Sequence, residues 1–307
     1  MTMFFLTSSN YCFIFIKNTK YIFQLNLYPI IAGNFMLDGG AMFGVVPKSI
    51  WQKTNPADNN NMIKIAARCL LIEDGDRLIL IDTGMGDKQS EKFFGYYYLW
   101  GEDTLSYSMK KKGFHPDDVT DVFLTHLHFD HCGGSIKKTS ENSFVTTFKN
   151  ATYWSNKKHW SWATNPNARE GASFLNDNIY PIEKSGQLKL IEKDNSNYLT
   201  KTPLGLDVLF VDGHTEKQMI PFINYNGQKI AFSADLIPTA SHIHLPYIMS
   251  YDVRPLVSMK EKEKFLSFCY ENNVLLFFEH DANVELGMLK NSTRGIRLQN
   301  KLSLTEL

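Results

Sequence analysis

The chain has 307 residues, 43% of them hydrophobic, enough to bury a sizeable core within one domain. Its 32 basic and 32 acidic residues cancel, which excludes the electrostatic footprint of a nucleic-acid-binding protein. Four cysteines, Cys12, Cys69, Cys132 and Cys269, form no CxxC pair and read as free thiols suited to a reducing compartment, so a cytoplasmic protein is expected.

At the start, Phe4-Phe5-Leu6 and Phe13-Ile14-Phe15-Ile16 are apolar, but Lys17 and Lys20 interrupt any run long enough to span a bilayer. A basic start and a small-residue cleavage site, the marks of a secretory signal, are both missing. Residues 1–20 are therefore expected to be an extension outside the fold, with a membrane-binding or exported tail as the rival, and residues 21–307 a single domain. Residues 21–38 and 62–82 predict strands, with a hairpin turn at Glu73-Asp74-Gly75-Asp76. Residues 104–113 predict a helix stopped by Gly113. Val119 to Leu124 (VTDVFL) is a short β-branched run of the buried-strand type, and Ala151 to Trp154 is another short strand. Lys157 to Ala163 opens a helical insertion expected to continue towards Asn176. From Ser258 to Asn272, Met259, Phe265, Leu266, Phe268 and Cys269 recur at helical spacing, which marks a core-packing face.

The densest chemistry lies in Thr125-His126-Leu127-His128-Phe129-Asp130-His131-Cys132-Gly133-Gly134, with three histidines and an aspartate in six positions. Imidazole and carboxylate together suit a borderline divalent ion. The i, i+2 spacing puts His126 and His128 on one side of an extended segment, while Asp130 and His131 point elsewhere. One turn presenting ligands in two directions suggests two adjacent metal ions, about 3.5–4 Å apart in sites of this kind. Gly133-Gly134 would let the backbone turn closely around a metal. Further ligands must come from other strands, and three apolar runs end in suitable residues. Val208 to Val211 is followed by Asp212-Gly213-His214-Thr215, Ile230 to Ser233 by Ala234-Asp235, and Leu275 to Phe278 by Glu279-His280-Asp281. Leu78 to Ile81 ends in Asp82-Thr83-Gly84, where Asp82, without a His neighbour, is expected to orient a ligand imidazole rather than bind metal.

From about Tyr28 to His280 the sequence resembles the metallo-β-lactamase-fold hydrolases, on Asp82 in DTG, His126-x-His128-x-Asp130-His131, Gly213-His214-Thr215, Ser233-Ala234-Asp235 and His280. The resemblance implies an α/β class fold, a four-layer αβ/βα sandwich of two mixed sheets with the site at one edge. It implies that His126, His128 and His214 hold a first metal, that Asp130, His131 and His280 hold a second, and that Asp235 bridges them. Within the family the chain is most similar to the lactonase-type branch, which includes the quorum-quenching N-acyl homoserine lactonases, and Gly39 to Lys48 resembles that branch's N-terminal segment. The expected cofactors are two divalent ions, zinc first, with manganese, iron and cobalt also compatible. The expected reaction is opening of a lactone or ester by a metal-bridging hydroxide, with Asp130 passing on the proton.

Met42, Phe43, Val46, Trp51, Trp160 and Trp162 are candidates for an apolar wall around a neutral substrate. Several lactonases place an oxyanion-donating Tyr three residues past the bridging Asp, where this chain has Pro238. His242 or His244 of Ser241-His242-Ile243-His244, and Tyr247, are the candidate replacements. Cys132 is expected to be structural. A flavodiiron role would call for Glu in place of His128 and an added flavin domain, and neither is present. A glyoxalase II-type thioesterase, a phosphotriesterase and a β-lactamase remain alternatives on the same site; Lys290, Arg294 and Arg297 are only a faint cluster for glutathione. A binding or sensor protein on this fold would commonly lack a ligand, whereas all seven are present. A homodimer is expected by analogy with related lactonases.

Overall fold

A computed structural model of the chain describes residues 25–140, 143–192, 197–199 and 201–307. Cys12 and the expected extension at residues 1–20 lie outside these.

Six strands form the first sheet, in the order β1-β2-β3-β4-β7-β8. They are β1 (Asn26–Asp38), β2 (Met62–Asp74), β3 (Arg77–Ile81), β4 (Asp121–Phe123), β7 (Thr152–Asn156) and β8 (Leu188–Ile191). A two-stranded ribbon, β5 (Ile136–Ser140) with β6 (Ser143–Thr146), projects between β4 and β7. The second sheet holds seven strands in the order β15-β14-β13-β12-β11-β10-β9. These are β9 (Tyr198–Leu199), β10 (Asp207–Val211), β11 (Gln218–Tyr225), β12 (Gln228–Phe232), β13 (Leu275–Phe277), β14 (Leu286–Lys290) and β15 (Arg297–Leu302). Both sheets are mixed: β3, β4, β7 and β8 run parallel, as do β12 and β13, and the remaining pairs are antiparallel.

Side-chain alternation along the buried strands builds two cores at once. Ile79 and Ile81 of β3, Leu70 and Ile72 of β2 and Phe123 after them face the second sheet and join Val208, Phe210, Ile230, Phe232, Leu276 and Phe277. Their neighbours Leu78, Leu80, Cys69, Leu71, Val122 and Leu124 face outward onto the helices Leu105–Lys111 and Asn176–Lys184 through Leu105, Met109, Ile179 and Ile182. On the far side of the second sheet, the helix Pro255–Glu271 packs Phe265, Leu266 and Cys269 inward. The result is four layers, helix on sheet on sheet on helix, the αβ/βα sandwich that the family resemblance implies.

The expected hairpin turns at Gly75-Asp76 with Gly75 at φ 59°. The helix expected over 104–113 spans Leu105–Lys111, capped by the Thr104 hydroxyl and ended before Gly113 at φ 89°. The insertion departs from expectation. Its first helix, Lys157–Thr164, stops where Pro166 would have to continue it, and a looped stretch leads to a separate helix at Asn176–Lys184.

Candidate metal centre

Because β3, β4, β12 and β13 point the same way in each sheet, their C-terminal ends meet along one edge of the sandwich. After β4 the chain stays extended to His128 (φ −63°, ψ 151°) and then makes one helical turn, Phe129–Cys132. His126 and His128 therefore project together from extended backbone, while Asp130 and His131 leave the helical turn in another direction. Gly133 and Gly134 serve a different purpose from the one expected. Both sit in a 3₁₀ turn with Gly133 at φ −60°, and a Cβ on them would lie 2.1 Å from the Met85 and Thr83 carbonyl oxygens. They let the Asp82-Thr83-Gly84 turn pack directly on the histidine segment, and Thr83 N–H donates to His131 O at 2.7 Å.

The seven expected ligands are brought together, all buried. His126 Nε2 and His214 Nε2 lie 3.0 and 3.1 Å from His128 Nδ1, and Asp235 Oδ2 lies 3.1 Å from His214 Nε2. On the other side, His131 Nε2 and His280 Nε2 are 3.1 Å apart, with Asp235 Oδ1 3.1 Å from His280 and 3.5 Å from His131. Asp130 stands 3.8 Å from His280 and 3.9 Å from His131. One oxygen of Asp235 thus faces each group, and Oδ1 has no hydrogen-bond partner among the described residues.

Every outward ring nitrogen is occupied. His126 Nδ1 meets the Thr125 hydroxyl at 3.1 Å, His128 Nε2 meets Glu170 at 3.0 Å, and His214 Nδ1 meets Asp252 at 2.9 Å. His131 Nδ1 meets Asp82 at 3.0 Å and His280 Nδ1 the Ala66 carbonyl at 2.8 Å. Outward N–H groups held by acceptors leave the five inward nitrogens as lone pairs converging on one small volume. Lone pairs that face one another at about 3 Å repel unless a cation lies among them, so the donor set fits divalent metal. Among the described residues, His126, His128, His214 and Asp235 form one metal-competent group, Asp130, His131 and His280 another, and Asp82 and Glu279, on the outer nitrogen of His131, a third with it.

The charges divide the ring set. Burial lowers His126 well below the usual imidazole range, with His131 and His128 adding to it, whereas against burial Glu279 and Asp235 raise His131 well above that range and Asp235 raises His214 to about 10 and His280 to about 9. Burial would raise the Asp235 carboxyl, but His131, His214 and His280 around it pull it well below the carboxylate range. Both carboxylate oxygens of Asp82 are engaged: they accept the Thr125 N–H at 2.7 Å, the Thr125 hydroxyl at 2.6 Å and the His131 ring. Asp82 does so from a left-handed backbone, φ 57°, and Ala234, beside Asp235, is held at φ 39°.

Three acids support the site without a signal in the sequence pattern. Glu170 accepts from His128, the Thr215 hydroxyl, Trp162 Nε1 and Asn167; burial opposes its charge, but these partners hold it at about 2. Asp252 orients His214. Glu279, one residue before a ligand, places Oε2 3.0 Å from His131 Nδ1, and burial, against the pull of His131, pushes it up to about 8.

A cavity of about 360 Å³ opens over these ligands, walled by Leu37, Met42, Tyr97, Phe129, Met249 and Tyr251, with Arg169 at its side. Of the expected wall, Met42 lines it. Phe43 is instead stacked between Trp51 and His242, at 5.3 and 4.6 Å, and Val46 packs against the same cluster. Trp160 is buried in the core beneath the helices, and Trp162 is committed to Glu170. His242 has no N–H to offer an oxyanion, since Nε2 meets the Met42 carbonyl at 2.8 Å and Nδ1 the Thr239 hydroxyl at 2.7 Å. Tyr247 stacks on His244 behind Phe43, outside the cavity wall. Cys132 is structural: its Sγ donates to the Leu127 carbonyl, and burial pushes the thiol up to about 12.

A family model described as the metallo-beta-lactamase superfamily matches residues 65–268. Among curated proteins, the N-acyl homoserine lactonase AiiA of Bacillus thuringiensis subsp. kurstaki is 29% identical over 119 residues, 36% of this chain and 43% of that protein. A probable metallo-hydrolase of Mycobacterium tuberculosis is 32% identical over 109 residues, 31% of this chain and 35% of the relative. These matches span less than half the length of the curated relatives. Among solved structures, a probable metal-dependent hydrolase from Staphylococcus aureus aligns with a TM-score of 0.80 at 27% identity, covering 91% of this chain and 99% of that one. AidC, a dizinc quorum-quenching lactonase solved with its product, aligns at 0.72 with 23% identity, covering 92% and 96%.

Proposed function

From the premise that the chain belongs to the metallo-β-lactamase superfamily, we propose that it is a dinuclear metal-dependent hydrolase that opens a lactone or cleaves a carboxylic ester. The observation that carries this reading is the set of five inward ring nitrogens around Asp235, each imidazole fixed by an acceptor on its outer nitrogen. His126, His128 and His214 would hold one ion, Asp130, His131 and His280 the other, and Asp235 both. Two bound ions, with zinc the first choice, supply water activation and polarisation of the substrate carbonyl.

The chain's own groups do the rest. Leu37, Met42, Phe129 and Met249 give the cavity the apolar wall that a neutral acyl group needs. Asp130, which lines the cavity, would take the proton released by the attacking water and hand it on. No serine or cysteine nucleophile is called for. The likeness to the N-acyl homoserine lactonase of Bacillus thuringiensis supports a lactone as substrate. Against the thioesterase alternative, Lys290 and Arg297 lie on β14 and β15, and Arg169 is the one Lys or Arg side chain in the described cavity wall.

The test is hydrolysis by the metal-analysed protein of two acyl-homoserine lactones, an aryl ester, S-lactoylglutathione, a phosphotriester and a cephalosporin. Lactone opening that chelation abolishes and two equivalents of metal restore is the expected result. Inert lactones beside turnover of another member would move the substrate class to that member.

A further inference from the structure

Residues Gly95 to Trp100, GYYYLW, run beside the edge strand β1. Met36 N–H donates to Tyr97 O at 2.7 Å, Trp100 N–H to Asn34 O at 3.1 Å, and Trp100 Nε1 to Phe35 O at 2.9 Å. This anchoring sorts the three tyrosines. Tyr96 and Tyr98 are 63% and 46% exposed, whereas Tyr97 turns inward and lines the cavity beside Asp130 and His280. Its ring is clamped by Phe93 at 5.0 Å, Phe129 at 4.9 Å and Phe35 at 6.5 Å. Tyr251, on the opposite wall, is 40% exposed and has no such clamp among the described residues.

The Tyr97 hydroxyl has no hydrogen-bond partner among the described protein groups. An ordinary phenol has a pKa of about 10, so at neutral pH it carries its proton. A rigid, protonated phenol beside the ligand cluster is a donor lacking an acceptor, and a substrate oxygen would complete it.

We propose that the Tyr97 hydroxyl donates its proton to the leaving-group oxygen of the ester or lactone bound in this cavity. This rests on the ester and lactone reading of the site. As the acyl C–O bond breaks, its electron pair stays on the leaving oxygen, the proton from Tyr97 Oη makes that oxygen an alcohol, and the phenolate regains a proton from water. An alkoxide is about as basic as hydroxide, whose conjugate acid has a pKa of about 16, so transfer from the phenol is downhill. A nitrophenolate leaving group is a weak base and needs no such help.

The experiment compares wild type, Tyr97→Phe and Tyr96→Phe on an acyl-homoserine lactone and on a 4-nitrophenyl ester, with metal content measured for each. Tyr97→Phe deletes only an oxygen with no protein partner, so the ring clamp stays. It should keep its metal, lose on the order of 10²-fold in kcat on the lactone, and stay within about threefold of wild type on the nitrophenyl ester. Tyr96→Phe should match wild type on both. Equal losses on the two substrates, no loss on the lactone, or loss of metal from Tyr97→Phe would each overturn the assignment of Tyr97 while the wild-type rates uphold the site reading. A wild type that turns over neither substrate would overturn the site reading and this assignment with it.

Discussion

Glu170 shows how much of the site is settled outside the ligands. Its carboxylate collects four donors, of which His128 Nε2 at 3.0 Å bears directly on metal affinity, because an imidazole whose outer N–H is held by a carboxylate is the more basic ligand. Glu170→Gln keeps the shape and removes the charge. Metal affinity in chelator competition should fall by about 10- to 100-fold while the far-ultraviolet circular dichroism stays that of wild type; unchanged affinity would deny Glu170 this role. At His214 the expectation is harsher. His214→Ala removes a donor shared with Asp235 and leaves Asp252 without its partner, so one metal equivalent and nearly all turnover should be lost, which elemental analysis beside an activity assay would check. The ligand candidates were legible in the sequence because histidine is rare and its clustering at strand ends has few other uses. Glu170 and Asp252 were not, since an acid in a polar loop reads like any solvated acid until its partners are known. His242 misled in the opposite direction: it was a candidate oxyanion donor, but Thr239 and Met42 use both ring nitrogens.

The helix Pro255–Glu271 is where periodicity succeeded and side-chain chemistry went unread. Its buried face, Ser258, Lys262, Phe265, Leu266 and Cys269, follows the helical repeat, but Phe268, expected inside, is 38% exposed, and a lysine takes a core position instead. Lys262 Nζ donates to the Tyr247 carbonyl at 2.7 Å and so ties down the loop that carries Met249, Tyr251 and Asp252 to the cavity. Burial lowers its ammonium from the ordinary 10.5 to about 7, with Asp252 opposing and His242 and His244 also facing it. Between about pH 7 and 10.5 the unfolded chain then binds a proton that the native chain does not, so this group makes stability rise with pH across that window and exacts its full cost below it. Lys262→Met should flatten the rise in melting temperature between pH 7 and 10, and a slope identical to wild type would contradict it. The same variant frees the Tyr247 carbonyl, so KM should rise more than kcat falls if the tie positions the loop. The segment Gly95 to Trp100 was opaque for a related reason: three consecutive tyrosines carry no periodicity, and only pairing with β1 selects which one faces inward.

At the scale of the whole molecule, the two sheets meet at the metal centre. The first supplies Asp82 after β3 and His126, His128, Asp130 and His131 after β4; the second supplies His214 after β10, Asp235 after β12 and His280 after β13. Parallel strands buried on both faces made this legible, because their apolar runs are continuous and their ends abrupt. The ribbon strand β5 and the strand β15 left no comparable signal, since IKKTS exposes four of its five side chains and RLQNKL buries none, so both read as loops. A metal pair shared between sheets binds the assembled sandwich and not the separate halves, so its free energy adds to the stability of the whole. We propose that residues 21–307 form one cooperative unit to which residues 1–20 are dispensable. Chelation should lower the melting temperature in a single transition. At a free metal concentration 100 times the dissociation constant each ion contributes about 2.7 kcal/mol, so two ions removed should cost roughly 10 °C or more in a chain of this size. A chain beginning at Tyr21 should show the same transition, the same metal content and the same shift. Two transitions of which only one responds to metal would mean that the sheets are not coupled through the site, and a truncated chain that cannot hold metal would place residues before Tyr21 inside the unit.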